Sequence, residues 1–186
     1  MIRTFLAIHP STEVLERIAA FQTELRDPGG SLRWLPPGSL HLTVHFLGDV
    51  RESELAGIER ALAESLREQR PIDVECRGLG VFPNLRKPRV VWVGLRGEGL
   101  AEVAERAEIA LSPLGFPPAD REFRPHITVG RLRSAKAIDD LTAMLRSFGE
   151  RSFGTSRIEH AILYKSDLRP TGSLYTPLAT LPFLRV

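Results

Sequence analysis

The 186-residue sequence has a single cysteine, Cys76, and no long hydrophobic run. One cysteine excludes an internal disulfide framework, which fits a protein of a reducing compartment. No apolar stretch approaches the ~20 residues that a membrane-spanning helix needs. The N-terminal segment Met1–Ile8 is too short, and too soon interrupted by His9-Pro10, to be a signal peptide. We therefore predict one cytoplasmic globular domain.

Lysine is also scarce, since Lys87, Lys136 and Lys165 are the only three and arginine supplies the other basic residues. The net charge is +2 and the isoelectric point about 9.0. This mild basic bias is compatible with an anionic ligand but is not a basic tail. The planar guanidinium of arginine suits phosphate and stacks on bases. A biased genomic composition would produce the same excess of arginine.

The segment from Leu40 to Gly48 reads L-H-L-T-V-H-F-L-G and alternates between apolar and polar residues. Such alternation is typical of a strand that buries one face. We expect two sets of side chains on opposite faces: Leu42, Val44 and Phe46 on the buried one, and His41, Thr43 and His45 on the other. A strand of this kind presents the side chains of the His-x-Thr pair on the face that points away from the core.

A second segment repeats this pattern. Phe123 to Arg131 reads F-R-P-H-I-T-V-G-R, which places His126 and Thr128 on one predicted face. The chain has five histidines and ten threonines, so a threonine two places after a given histidine is expected about once in twenty. Two such pairs among five histidines, both in alternating segments, indicate a shared role.

The remaining sequence predicts alternating strands and helices. Predicted strands are 2–8, 32–35, 72–81, 89–95, 153–164 and 173–184. Predicted helices are 12–25 with Ser11 as N-cap, one that opens at Ser53 or Glu52 and runs to about Gln69, 100–111 and 137–148. Each half then contains a strand, a helix, a His-x-Thr strand, a helix and a strand. We interpret this order as a single domain of two interleaved pseudo-repeats, about 1–88 and 89–186, whose His-x-Thr faces meet across one cleft.

Such a cleft would hold two imidazoles and two hydroxyls. An imidazole titrates near pH ~6.5, so one can be neutral while the other is protonated, as concerted general base and acid catalysis requires. Threonine hydroxyls two residues further along could donate hydrogen bonds to a phosphate. A metal site fits less well, because Cys76 stands alone and neither His-x-Thr strand carries Asp or Glu.

Single histidines on strands are usually solvated or structural residues, so the paired motif carries this hypothesis. We expect His45 to line the rim of the cleft or to be exposed, His9 to be a turn residue beside Pro10, and His160 to lie on a strand surface.

At these residues the sequence resembles the 2H phosphoesterase superfamily. Arg33 to Gly48 and Phe123 to Arg131 are similar to its two signature segments, and the likeness is greatest to the RNA 2′,3′-cyclic phosphodiesterases, long called 2′-5′ RNA ligases. The opening R-T-F-L-A-I, the strand V-W-V-G-L and the late L-Y-K-S-D-L and L-Y-T-P-L-A segments are also similar. The resemblance covers nearly the whole chain.

The resemblance implies a two-lobed α+β fold with antiparallel sheets around a central cleft. It implies an enzyme without metal or cofactor that opens RNA 2′,3′-cyclic phosphate ends to 2′-phosphate ends. Carried over by position, His41 would be the proton donor, His126 the proton acceptor, and Thr43 and Thr128 the phosphate-binding residues. Arg131 would lie near the substrate, although strict alternation places it on the opposite face from His126.

The expected partners are RNA or tRNA fragments with 2′,3′-cyclic phosphate ends, and reversible 2′-5′ joining would be a secondary activity. We expect a monomer with no obligate protein partner. Two alternatives remain. One is a module that binds nucleotides or RNA ends in the same cleft without turnover. The other, more remote, is a scaffold in which the two His-x-Thr pairs occur by chance.

Overall fold

The computed structural model describes residues 1–25, 32–119, 122–133, 138–169 and 172–184. The predicted first residue of the last helix, Ala137, lies outside these ranges. Within the described part the chain forms nine strands and four α-helices. In chain order they are β1 (Ile2–Ile8), α1 (Thr12–Glu24), β2 (Leu32–Trp34), β3 (Leu42–Val50), α2 (Leu55–Leu66), β4 (Ile72–Phe82), β5 (Val90–Arg96), α3 (Leu100–Leu111), β6 (His126–Leu132), α4 (Ile138–Phe148), β7 (Ser152–Ile158), β8 (His160–Arg169) and β9 (Gly172–Pro182).

The strands form one curled antiparallel sheet in the order β7-β4-β5-β6-β3-β1-β8-β9, with β2 added alongside β6. Helices α1 and α4 pack on β7 and β4, whereas α2 and α3 pack on each other and on β9 and β3. Each half of the sheet therefore has its own pair of helices on the buried face. The predicted α+β class with antiparallel strands and flanking helices is confirmed.

Strands β3 and β6 join the two halves of the sheet. Their register has one residue pair, Leu42 opposite Ile127, and both side chains are fully buried. Strand β4 from the first half of the chain pairs with β5 and β7 from the second, and β8 pairs with β1. The boundaries of the two pseudo-repeats, about 1–88 and 89–186, stay a prediction.

Most predicted elements are present because their apolar spacing is strong. Helix α1 starts after Ser11, whose hydroxyl accepts a hydrogen bond from the backbone N–H of Val14 at 3.5 Å. Helix α3 has the predicted bounds, and Val103, Ala107 and Leu111 are buried as expected. None of the helices formed by the described residues has the length and apolar character needed to cross a bilayer.

The prediction of one long strand from Phe153 to Tyr164 is wrong. The structure has two strands, β7 and β8, separated at Glu159. Strand β7 pairs with β4 at one edge of the sheet, whereas β8 pairs with β1 in the other half. The chain crosses between the halves at Glu159, whose carbonyl accepts a hydrogen bond from the backbone N–H of Phe183, one position beyond the pairing of His160 with Pro182.

Candidate active site

A cleft of about 270 Å³ lies above the junction of β3 and β6. The structure brings all five predicted site residues to its lining: His41, Thr43, His126, Thr128 and Arg131. The two His-x-Thr segments therefore face one another across a single cavity.

The register at the junction explains this arrangement. Leu42 and Ile127 point into the core, so the residues on either side of each point to the other face of the sheet. Because the strands are antiparallel, counting outward from this pair sets His41 across from Thr128 and Thr43 across from His126. The cleft therefore has one imidazole and one hydroxyl on each side of the junction.

The two imidazoles are anchored in the same way. Nδ1 of His41 is 2.8 Å from the carbonyl oxygen of Ser39, and Nδ1 of His126 is 2.6 Å from that of Arg124. A carbonyl accepts only, so Nδ1 carries the hydrogen in both rings. In each neutral ring this leaves Nε2 with a free lone pair, ready to accept a proton.

Aromatic rings pack against both imidazoles. Phe5 lies 4.9 Å from the His41 ring and Tyr175 lies 5.1 Å from it at right angles, measured between ring centroids. Phe82 meets the His126 ring edge-on at 4.9 Å. These contacts limit ring rotation and reduce the exposure of both histidines to water.

Burial has a direct electrostatic effect on the two histidines. It lowers the pKa of His41 to about 4, and positive charge on His9 and, to a smaller extent, on His126 lowers it further, whereas the Ser39 carbonyl opposes this. Burial also lowers the pKa of His126, and the Arg124 carbonyl acts in the opposite direction. Both imidazoles are therefore neutral near pH 7 in the free protein.

The prediction for His45 is wrong, because β3 has a bulge. Leu6 pairs with His45 and Ala7 with Thr43, so Val44 is an extra residue that reverses the alternation. His45 consequently turns to the core side and is only 5% exposed, and burial lowers its pKa. Phe46, expected in the core, is instead 50% exposed and lines the cleft.

An equivalent bulge in β6 directs Arg131 into the cleft. Val91 pairs with Gly130 and Trp92 with Thr128, which leaves Val129 as the extra residue. Strict alternation predicts that Arg131 points to the opposite face from His126. The bulge reverses the alternation, so Arg131 lines the cleft together with His126. Arg131 and Phe46 therefore occupy matching positions, each five residues after its motif histidine.

The β6 bulge is held by Gln22, a residue without an assigned role in the sequence analysis. Its side-chain amide donates to the carbonyl oxygens of Val129 at 2.9 Å and Leu35 at 3.0 Å. Gln22 is 7% exposed and lies on the buried face of α1. The sequence signal that could have identified Gln22 is its position as a polar residue within the apolar stripe of the predicted helix.

Two further histidines lie outside the motifs. His160 is exposed at the start of β8, as predicted. His9 follows β1, but it is more than a turn residue, because its ring lies 6.0 Å from that of His41. No sequence pattern indicates this contact, since it depends on the pairing of β1 with β3.

Comparison with known proteins decides the family. Residues 8–92 and residues 93–175 each match the family model of the LigT-like phosphoesterases. Together the two matches cover most of the chain. The chain belongs to the LigT-like phosphoesterase family. The predictions of a 2H phosphoesterase and of an enzyme that hydrolyses phosphoric diesters are confirmed.

Curated relatives of this LigT-like phosphoesterase carry a consistent name. The RNA 2′,3′-cyclic phosphodiesterases of Methanothermobacter thermautotrophicus and Methanocaldococcus jannaschii are 32% and 35% identical to it. These alignments cover 95% and 94% of this chain, respectively, and 96% of each relative. The similarity therefore extends along both proteins.

Solved structures of relatives have the same fold. TT0787 of Thermus thermophilus superposes with a TM-score of 0.84 and 30% identity over 98% of both chains. E. coli LigT complexed with 3′-AMP superposes with a TM-score of 0.80 and 26% identity over 99% of both chains.

Proposed function

We propose that this LigT-like phosphoesterase hydrolyses 2′,3′-cyclic phosphate ends of RNA to 2′-phosphate ends, without a metal ion. The observation that carries the proposal is the pair of Nδ1-anchored imidazoles, His41 and His126, in one cleft. Two proton-transfer groups are needed to open a cyclic diester, whereas binding alone needs none. The name shared by its relatives supports the same substrate class.

In the proposed reaction His126 acts as the base and His41 as the acid. Nε2 of His126 takes a proton from a water molecule, and the water oxygen forms a bond to phosphorus. The bond between phosphorus and the 3′ oxygen breaks, and Nε2 of His41 gives its proton to that oxygen. The products are a 2′-phosphomonoester and a free 3′ hydroxyl, and the two histidines then exchange protons with solvent.

Thr43 and Thr128 would stabilise the transition state. Their hydroxyls border the cleft on opposite sides of the junction between β3 and β6. Both can donate to the non-bridging phosphate oxygens, where negative charge increases as water attacks. The guanidinium of Arg131 adds a charged donor at the rim.

Because the pKa of His41 is low, His41 can act as the acid only after a bound substrate favours its protonated form. A group with a pKa of about 4 is unprotonated near pH 7 in the free protein. A bound phosphodiester brings a negative charge next to His41, which favours the imidazolium and raises its pKa. The acid is therefore formed mainly when the substrate is present.

The cleft also has an apolar side that suits a nucleotide better than inorganic phosphate. Phe46 and Leu168 line it and are both well exposed. The guanidinium of Arg3 lies over the Phe46 ring, 4.7 Å from its centroid. The complex of E. coli LigT with 3′-AMP supports nucleotide binding in this family. We propose RNA or tRNA fragments as partners, while the monomeric state and the cytoplasmic location stay predictions.

The test uses EDTA-treated full-length protein and a short RNA that ends in a 2′,3′-cyclic phosphate. We expect a 2′-phosphate product, loss of turnover in His41→Ala and His126→Ala, and normal turnover in His160→Ala. A 3′-phosphate product would reverse the assigned geometry. Activity lost to EDTA would refute the metal-free mechanism. Tight binding without turnover would instead establish the RNA-end-binding module.

Reversible 2′-5′ joining would use the same displacement at phosphorus with a different nucleophile. A ribose hydroxyl of a second RNA end would take the place of water: His126 would take its proton, its oxygen would form the bond to phosphorus, and His41 would give a proton to the departing 3′ oxygen. The two histidines would exchange roles only in the reverse reaction, cleavage of the 2′-5′ linkage. We expect joining of RNA halves only at high concentrations of the ends, because water at its bulk concentration competes with the ribose hydroxyl for the cyclic phosphate.

A further inference from the structure

His9 lies directly behind His41. Strand β1 pairs with β3 through Ile8 and Leu42, so the next residue along β1 comes opposite His41. The centroids of the two imidazole rings are 6.0 Å apart, with an angle of 48° between their planes. The cleft lining includes His41 but not His9. Any effect of His9 on a bound phosphate must therefore act through His41.

The His9 ring lies beside the backbone that carries His41. The Leu40 carbonyl, in the peptide group immediately before His41, acts on the ring and raises its pKa, although burial outweighs this effect. Nε2 of His9 is buried and has no hydrogen-bond partner among the described residues. A buried polar nitrogen without a partner is rare in native proteins and calls for an explanation.

The neighbours of His9 come from two strands and the turn before β3. The ring of Tyr164 on β8 approaches edge-on at 5.5 Å, and His160 on β8 acts on His9 through its charge. Burial lowers the pKa of His9, the Leu40 carbonyl opposes this, and His160 lowers the pKa further. Among the residues that the structure describes, the titratable groups shown to contact His9 or to act on it through charge are His41, His160 and Tyr164, none of which is a carboxylate.

We propose that His9 is a positioning residue for His41, which fixes the peptide group before His41 and prevents the two imidazoles from being charged together. The role rests on the proposed function, in which His41 must gain and then give a proton. A proton on one imidazole disfavours a proton on its neighbour. In the free protein this repulsion adds to burial, which is the larger cause of the low pKa of His41. When an anionic phosphate is bound beside His41, the proton goes to His41 and His9 stays neutral.

The first test is a titration of the histidine ring signals by NMR in the full-length protein, which needs no turnover. The variants are His9→Asn, His9→Phe and the control His160→Asn, which removes the exposed imidazole that acts on His9 through its charge. We expect the pKa of His41 to rise above about 4 in both His9 variants and to stay unchanged in the control. The pKa of His126 should be the same in all of them. An unchanged His41 pKa in both His9 variants would overturn the proposal.

The second test separates positioning from charge. Asparagine can still donate to the Leu40 carbonyl but carries no charge, whereas phenylalanine can do neither. We expect the alkaline limb of the kcat/KM profile to move to higher pH in both variants, with kcat clearly higher in His9→Asn than in His9→Phe. Equal kcat values would refute the positioning part. If the wild type hydrolyses no cyclic phosphate while the His41 pKa still responds to His9, the proposed function fails and the coupling of the imidazoles stands.

Discussion

Leu42 on β3 and Ile127 on β6 form the residue pair that joins the two halves of the sheet, and both are completely buried. The histidine that precedes Leu42 and the histidine that precedes Ile127 are both held to a carbonyl two residues earlier. The buried pair and the two anchored rings thus form one unit. The catalytic geometry that we propose depends on the core directly beneath it.

Removing either motif hydroxyl should slow the reaction without abolishing binding. Thr43→Val and Thr128→Val keep the side-chain shape but lose a donor to the phosphate oxygens. We expect kcat to fall about 10²-fold in each, as for the loss of an oxyanion donor, with little change in KM. Steady-state kinetics on a 2′,3′-cyclic substrate measures both values. The Ser variants are the control, and an equal loss with serine would indicate that the methyl group matters instead.

Arg131 should contribute to substrate binding. Loss of a charged donor costs about 1.5–3 kcal/mol, so Arg131→Ala should lower kcat/KM by roughly 10- to 100-fold, mainly through KM. Arg60→Ala is the matched control, because Arg60 is exposed on α2 and lies outside the cleft lining. A similar loss in both variants would show that only overall charge attracts the RNA.

Gln22 should influence substrate binding through the β6 bulge. Gln22→Met keeps the approximate volume but removes both hydrogen bonds to Val129 and Leu35. We expect a loss of about 1–3 kcal/mol in the free energy of unfolding together with a raised KM. The control is Gln69→Met, another buried amide, 3% exposed and away from the cleft. It should lose stability without a change in KM.

His45 should matter for stability and not for catalysis. It is buried beneath the sheet, so His45→Ala leaves a cavity and should lower the free energy of unfolding by roughly 2–4 kcal/mol. Its kcat and KM should match the wild type under conditions in which the variant is folded. Phe46→Ala should do the reverse, with near-normal stability and a raised KM. Loss of kcat in a fully folded His45→Ala variant would contradict the placement.

Acid should destabilise the protein. Burial lowers the pKa values of His9, His41, His45 and His126 below the ordinary value of 6.5, so the unfolded chain binds more protons as pH falls. The free energy of unfolding should therefore decrease between pH 6.5 and about 4. His41 alone accounts for on the order of 3 kcal/mol.

Urea unfolding at about pH 7.5 and about pH 4.5 measures this effect. His41→Phe should reduce the difference between the two conditions, whereas His160→Asn should not. Equal stability of the wild type at both pH values would show that the imidazoles titrate normally in the folded protein.

The two bulges show where prediction from sequence stops. The alternation in Leu40–Gly48 correctly predicts a strand with His41 and Thr43 on one face. It fails from His45 onward, because a bulge belongs to the pairing of two strands and leaves no mark in the periodicity of one. The bulge in β6 likewise explains why strict alternation predicted Arg131 on the face opposite His126, whereas Arg131 lines the cleft.

By itself, the sequence determined the elements with strong periodicity, the family, and the two His-x-Thr motifs. These features are local, since they depend on which residues stand two, three or four places apart. Tertiary structure alone decided which strands are neighbours, and with them the break at Glu159, the bulges and the contact of His9 with His41. Strand pairing joins residues distant in sequence through backbone hydrogen bonds that nearly every residue type can form. The amino-acid sequence therefore specifies the motifs, and the pairing of strands places them.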